Sequence, residues 1–196
     1  MKLLNLFFVL VITLVSNNVF AEEKTQVITY KPTIPAGTAK QGYCWTESLA
    51  VVRPNTWRCM VGNEIQDPCF GTDNKDVVVC GVDPLKKNPG FALHLTQPLP
   101  KSNDVAPSKQ PWMLELSDKS ICTPYTGTLP FVDNQPVRFG CTNACPDKQK
   151  CDKMAGLFSI NTQKSVWIAK KVIYSRLGKD TKVETTTDVT IKTAWQ

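Results

Sequence analysis

The chain has 196 residues, a formal net charge of +6, eight cysteines and one histidine. Its lysines are scattered and no basic stripe is interleaved with aromatic residues, which argues against a nucleic-acid-binding protein. A single histidine excludes a multi-histidine metal site, and the cysteines show no paired C-x-x-C spacing of the kind that zinc motifs use. We therefore expect no metal and no cofactor.

Residues 1–21 predict a signal peptide. Lys2 gives a short positive start, Leu3–Val15 is apolar, and Val19-Phe20-Ala21 is a small-x-small cleavage site. The apolar run has about 13 residues, fewer than the roughly 20 that span a bilayer. We expect a periplasmic or secreted protein with no membrane span after cleavage.

All eight cysteines follow this segment. An even number of cysteines in an oxidising compartment predicts four disulfides, although eight cysteines allow about 105 pairings. Proximity in the sequence favours the pairs Cys44–Cys59, Cys69–Cys80, Cys122–Cys141 and Cys145–Cys151.

The first part of the mature chain carries weak signals. Residues 22–42 predict an extended lead-in with an edge strand at Gln26–Tyr30. Ser48–Val52 predicts a short strand. Pro54–Val61 could be a hairpin arm, but Pro54 at the start and Gly62 just past the end favour a short helix. Asp67-Pro68 argues against a central strand.

The remainder, within a single β-rich domain at 43–196, shows strand patterns. Residues 97–111 are proline-rich and predict a surface loop. The other predicted strands are Val77–Cys80, Phe91–Thr96, Trp112–Leu116, Ile121-Cys122, Leu129–Val132, Val137–Cys141, Val166–Ser175 and Val183–Trp195, the last two as a closing hairpin. With at most one or two short helices, the pattern predicts an all-β, disulfide-stapled antiparallel barrel or sandwich.

Few residues could carry chemistry. His94 lies on the outward side of an alternating strand, where we expect an exposed histidine rather than a catalytic base. Gly140-Cys141-Thr142-Asn143 superficially resembles the nucleophile motif of the bacterial L,D-transpeptidases, but Arg138-Phe139 stands where their Ser-His precedes the glycine. We therefore interpret Cys141 as a disulfide cysteine and predict no catalytic residue.

Tryptophan and arginine are the commonest anchors of binding surfaces. Most of the large rings are expected in the core, but some could form a ligand groove near the two arginines that follow the first cysteine. The candidate binding residues are Trp45, Arg53, Trp57, Arg58 and Trp112.

A long motif runs through the first half of the mature chain. Cys44–Phe70 reads C-W-x-x-S-L-A-x-x-R-P-x-x-W-R-C-x-V-G-N-x-I-x-D-P-C-F. It resembles the signature of a family of exported, cysteine-rich bacterial proteins for which no activity, substrate or cofactor is established. The resemblance implies a bacterial origin and an extracytoplasmic location. Cys145 and Cys151 are additional to the pattern.

These observations favour an exported bacterial binding domain that is not an enzyme. Its partner would be a cell-envelope polymer or a protein. One alternative is a cell-envelope hydrolase or transpeptidase that uses Cys141 or His94, and a second is a secreted inhibitor that inserts a bridged loop into a protease. A free thiol at Cys141 would favour the enzyme.

Overall fold

The computed structural model of the chain describes residues 23–37, 39–101, 110–144, 152–177 and 180–196. The only regular secondary structure of these residues is β-strand, so the all-β fold class is confirmed, and no helix among them is long and apolar enough to cross a membrane. The strands are β1 Gln26–Ile28, β2 Ala39–Glu47, β3 Thr56–Val61, β4 Glu64–Gly71, β5 Val77–Cys80, β6 Phe91–Leu95, β7 Met113–Leu116, β8 Ile121–Pro124, β9 Phe131–Val132, β10 Gln135–Pro136, β11 Phe139–Cys141, β12 Lys153–Asn161, β13 Trp167–Leu177 and β14 Asp180–Trp195.

Strands β2–β6 close into a five-stranded ring, which we call the N-terminal barrel. Consecutive strands pair antiparallel, and β2 pairs with β6 in parallel, with Ala39 opposite Ala92. Successive side chains of a strand point to opposite faces, so one set fills the interior. That interior holds Cys44, Trp57, Cys59, Cys69, Val78, Cys80 and Leu93, all buried.

Each disulfide joins two cysteines that lie directly opposite each other on neighbouring antiparallel strands. The bonded pairs are Cys44–Cys59, Cys69–Cys80 and Cys122–Cys141. These are three of the four predicted pairs, and the fourth, Cys145–Cys151, lies outside the described residues. The three bonds indicate an oxidising environment outside the cytoplasm.

A second ring, the C-terminal barrel, has the order β7-β8-β11-β12-β13-β14 and closes where β14 returns to β7. The early part of β14 forms the predicted closing hairpin with β13, and its last residues pair with β7. The predicted edge strand, β1, pairs in parallel with Thr193–Trp195 of β14. It lies on the side of β14 where β13 pairs with the earlier residues, up to Ile191. The buried interior consists of Leu114, Leu116, Cys122, Phe139, Leu157, Ala169, Ile191 and Ala194.

Two local predictions between β2 and β4 are wrong. Ser48–Val52 is a loop rather than a strand, because the Ser48 hydroxyl accepts hydrogen bonds from the backbone N–H groups of Ala50 and Val51. Residues 54–61 contain β3 rather than the favoured helix. Gly62, with φ +59°, begins the two-residue turn into β4 instead of ending a helix.

The prediction that Asp67-Pro68 does not belong to a strand inside a sheet is also wrong, since both residues lie in β4, which pairs on both sides. Their peptide bond is cis. The β3–β4 register shifts between Trp57 and Cys59, so the proline falls at an irregularity of the ladder. Proline has no N–H to donate, and such irregularities are where sheets accept it.

The strands predicted at Leu129–Val132 and Val137–Cys141 are only partly right. The chain does reverse at Asp133 and Asn134, which both have positive φ, but it forms only the small β9–β10 hairpin. β11 pairs instead with β8 and β12.

The two barrels meet on a shared apolar group, which we call the junction cluster. Its buried members are Ala50, Val51, Phe70, Trp112, Met113 and Trp195. The rings of Phe70 and Trp112 lie 5.4 Å apart between centroids, and Tyr30 packs against both at 4.7 and 6.0 Å. Phe70 comes from the N-terminal barrel and Trp112 precedes the first strand of the other, so this packing fixes one barrel against the other.

A buried lysine holds the β7–β8 turn to β13. The side chain of Lys171 is 5% exposed, and its Nζ lies 2.6 Å from both Asp118 Oδ2 and Ser120 Oγ. Asp118 Oδ1 also accepts a hydrogen bond from the backbone N–H of Ser120. Burial acts to raise the pKa of Asp118, but the hydrogen bonds from Lys171 and Ser120 outweigh it and hold the pKa below its ordinary value.

This arrangement predicts a loss of stability in acid. A carboxyl whose pKa is lower in the folded than in the unfolded state stabilises the fold above its unfolded pKa, and this contribution disappears as the pH falls through the folded value. We expect Asp118→Asn to lower the free energy of unfolding by about 1 kcal/mol at pH 7, because Lys171 loses its ion pair with a carboxylate that is 40% exposed and partly screened by solvent. Urea unfolding between pH 7 and pH 2 should show a shallower acid loss in the variant, and equal slopes would contradict the assignment.

Candidate functional site

The structure brings three of the five candidate binding residues to the place where the barrels meet. Trp112 lines a cleft beside the junction cluster, Arg58 contacts two residues of its wall, and Trp45 packs on Arg58. Trp57 is 2% exposed inside the N-terminal barrel, where it packs among the disulfide cysteines.

Arg53 lies near this place but is fully engaged by the fold. Its Nη1 donates to the carbonyl oxygens of Tyr30, at 3.1 Å, and Gln196, at 3.2 Å. Its guanidinium lies 4.9 Å from the centroid of the Phe70 ring. Burial lowers the pKa of Arg53 and raises the pKa of Tyr30. Arg53 therefore ties the β2–β3 loop to residues that follow β1 and β14.

The cleft between the barrels, the junction cleft, has a volume of about 320 Å³. This is the lower end of the range for small-molecule sites in proteins. Polar groups from both barrels face it together with apolar ones. Its walls consist of Ala50, Gln66, Asp67, Pro68, Gly81, Val82, Trp112, Met113, Thr123, Pro124 and Thr126.

Asp67 organises one wall of the junction cleft. Its Oδ1 accepts a hydrogen bond of 2.5 Å from the Ser48 hydroxyl, and its Oδ2 accepts one of 3.2 Å from the backbone N–H of Leu49. These bonds hold the β2–β3 loop against β4, which places Ala50 in the wall. The Asp67 side chain is only 4% exposed, so its position is fixed by the fold.

Arg58 crosses from one barrel to the other. Its Nη1 donates to the carbonyl oxygen of Thr126 at 3.3 Å, and its Nε lies 3.9 Å from Asp67 Oδ2. Both partners line the junction cleft. Because the side chain is 20% exposed, the guanidinium lies at the rim of the cleft with part of its surface open to solvent.

Trp45 is the large exposed ring at this rim. The β2–β3 register shifts between Cys44 and Thr46, so Trp45 is the extra residue of a bulge, and Thr46 faces Arg58. Bulges commonly redirect a side chain in this way. The Trp45 ring lies 5.7 Å from the guanidinium carbon of Arg58 and 6.4 Å from the ring of Tyr43, and both aromatic residues are 39% exposed.

Two buried N–H donors at this site have no acceptor among the described residues. They are the indole Nε1 of Trp112 and the Nε of Arg58, and a third such donor, Trp57 Nε1, lies inside the N-terminal barrel. Unsatisfied buried donors are uncommon and require a physical explanation, such as a bound water or ligand.

The two residues considered for catalysis, Cys141 and His94, lie on different barrels. Cys141 is bonded to Cys122 on the C-terminal barrel, so its sulfur is not a thiolate in this state. His94 lies exposed on β6 of the N-terminal barrel, as its place in the strand predicts. The sulfur atoms of Cys59, Cys69 and Cys80 lie within 4.8 Å of one another, but all three are in disulfides and do not offer thiolate ligands.

Sequence reasoning missed several members of the site. In the sequence, Asp67 stands out only as part of an Asp-Pro pair that argues against a central strand, and Thr126 carries no signal. Tyr43 could have been found, because it lies two residues before Trp45 near the same bulged strand end. Searches against family models, curated proteins and solved structures found no match to this chain.

Proposed function

We propose that the chain is an exported bacterial binding domain, without catalytic activity, that holds a polysaccharide of the cell envelope in the junction cleft. The observation that carries this proposal is the exposed Trp45 ring, which packs on Arg58 beside a cleft lined by polar groups of both barrels. The predicted signal peptide and the three disulfides support export.

The chemistry of the site suits a sugar. A sugar ring presents an apolar C–H face, which can pack on an exposed aromatic ring, and hydroxyl oxygens around its edge. Asp67, Gln66 and the two threonines of the wall supply polar partners for such an edge. A volume of about 320 Å³ corresponds to roughly 10 water volumes, enough for one sugar unit. The neighbouring units would then extend over Trp45 and Tyr43.

The alternatives have less support. The enzyme would need a free Cys141 or a histidine in a cleft, whereas Cys141 is bonded and His94 is elsewhere. The inhibitor would need a bridged loop that protrudes. The disulfides of the described residues instead tie strands together within the barrels.

Co-sedimentation with purified, insoluble peptidoglycan tests the proposal. We expect the wild-type protein to bind, and both Trp45→Ala and Arg58→Gln to weaken binding at least tenfold, since each removes an anchor. Phe131→Ala is the matched control, because Phe131 is a 60% exposed ring on a different hairpin. It should bind as the wild type does.

Two results would contradict the proposal. One is wild-type protein that stays in the supernatant with peptidoglycan and with other envelope polysaccharides. The other is binding that is equally strong in the Trp45 and Arg58 variants, which would place the contact elsewhere. Circular dichroism of each variant should match the wild type, so that a loss of binding reports on the surface rather than on folding.

A further inference from the structure

A second cavity, which we call the Arg138 pocket, is lined by residues of the C-terminal barrel and of the segment before it, and it shares no lining residue with the junction cleft. Its volume is about 460 Å³, well within the range of small-molecule sites. It is lined by Gln110, Pro111, Arg138, Phe139, Phe158, Ser159, Ile160 and Thr162. Four of these residues are apolar and bulky, three are polar and uncharged, and Arg138 supplies the charge.

The charge in this pocket is not neutralised. Arg138 is exposed, and in the described part of the chain its side chain has neither an ion-pair partner nor a hydrogen-bond acceptor. Among the described residues, no aspartate or glutamate lines the pocket. This differs from Arg58 and Arg53, whose guanidinium groups are engaged by carbonyl oxygens or by Asp67. A free guanidinium beside apolar walls attracts a carboxylate that carries an apolar body.

The backbone fixes Arg138 while leaving its side chain available. Its N–H donates to the carbonyl oxygen of Leu157 at 2.9 Å, and its own carbonyl oxygen accepts from the N–H of Tyr125 at 3.1 Å. The residue is thus held between two segments of the barrel wall. The backbone of the site therefore loses little conformational freedom when a ligand binds.

Phe158 forms an apolar side of the pocket because of a bulge. The β12–β13 register shifts between Leu157 and Ser159, and Phe158 is the extra residue. It packs against the buried group of Val132, Val137, Val172 and Tyr174. Phe139, 2% exposed, forms the floor from the barrel interior. The apolar surface is therefore continuous with the core and is rigid.

From this juxtaposition we propose that the Arg138 pocket binds a small amphipathic carboxylate, such as a medium-chain fatty acid. The carboxylate pairs with Arg138, and the apolar body lies along Phe158, Phe139 and Ile160. A volume of about 460 Å³ corresponds to roughly 15 water volumes, which limits the ligand to roughly that many non-hydrogen atoms. The site is separate from the junction cleft and does not depend on the function proposed for it.

Titration calorimetry with two ligands that share one apolar body tests this inference. Dodecanoate should bind the full chain, and dodecylammonium should bind at least tenfold more weakly. Arg138→Gln should weaken dodecanoate binding about ten- to hundredfold, because a hydrogen-bonded charge pair is lost. Arg138→Lys should retain part of the affinity, and Phe158→Ala should weaken binding of dodecanoate. Lys75→Gln, which removes an exposed cation on the N-terminal barrel, should leave dodecanoate binding unchanged.

Three results would overturn the proposal that the Arg138 pocket binds a carboxylate. Equal affinity for dodecanoate and dodecylammonium would show that charge recognition is absent, and would overturn the proposal. So would unchanged dodecanoate binding in Arg138→Gln, or no measurable binding of dodecanoate to the wild type. Thermal unfolding of each variant separates these outcomes from misfolding, since the exposed Arg138 can be replaced without disturbing the core.

Discussion

Trp112→Ala should lower the free energy of unfolding by about 3–5 kcal/mol, the usual cost of removing a large buried ring. Trp112 is 2% exposed and packs against Phe70 and Tyr30, so its removal opens a cavity where the two barrels meet. Urea unfolding followed by circular dichroism measures the change.

Trp45→Ala is the matched control for that experiment. It removes the same side chain from a surface position, 39% exposed, at the rim of the same cleft. We expect a loss of about 1 kcal/mol or less, since surface substitutions rarely cost more. A loss at Trp112 as small as the loss at Trp45 would mean that the junction cluster does not hold the barrels together.

The joint replacement of Cys69 and Cys80 by alanine should lower the free energy of unfolding by about 2–4 kcal/mol. The bond joins β4 to β5 inside the N-terminal barrel, and both cysteines are fully buried. Without it, the unfolded chain gains conformational freedom and the barrel interior loses packing. A double variant as stable as the wild type would contradict a structural role for this bond.

Both cysteines must be replaced together in this experiment. Cys59 Sγ lies within 4.8 Å of the sulfur atoms of Cys69 and Cys80. A single replacement would leave one thiol beside the Cys44–Cys59 bond, where thiol–disulfide exchange could form a new pair. The matching control is the single Cys80→Ala variant, which should give a mixture of cysteine pairings on non-reducing peptide mapping, whereas in the double variant Cys44 should pair only with Cys59 and Cys122 only with Cys141.

The disulfide pairs and the closing hairpin could be predicted because they depend on neighbours in the sequence. Each described pair has a sequence separation of 11, 15 or 19 residues. Such spacings suit two strands that lie side by side, and the long alternation in Val183–Trp195 already indicates a strand with one buried face. Local information was sufficient for these elements.

The number of barrels could not be predicted in the same way. Closure of the N-terminal barrel requires β2 to pair in parallel with β6, and closure of the C-terminal barrel requires β14 to return to β7. These pairings join residues far apart in the sequence. The alternation of apolar and polar residues within a strand shows which face is buried, but it does not specify which other strand pairs with it. The strand Glu64–Gly71 is not predicted, because Asp67-Pro68 argues against a strand and only the register shift of the β3–β4 ladder makes room for the proline.

The candidate site was partly predictable for a related reason. Trp45 and Arg58 meet because β2 and β3 form a hairpin in which Thr46 faces Arg58. Trp57 and Arg53 are also a tryptophan and an arginine, but Trp57 is buried in the N-terminal barrel and Arg53 is hydrogen-bonded to Tyr30 where the barrels meet. Composition indicated anchor residues, and only the fold separates an exposed tryptophan from a buried one.

The most direct measurement is the thiol count of the exported protein, unfolded without reductant and alkylated before mass spectrometry. If the sulfur is structural and the chain acts by binding, no cysteine should be alkylated, whereas prior reduction should give eight adducts, one for each cysteine. A stoichiometric adduct at Cys141 in the unreduced protein would contradict both the Cys122–Cys141 bond and the non-catalytic assignment.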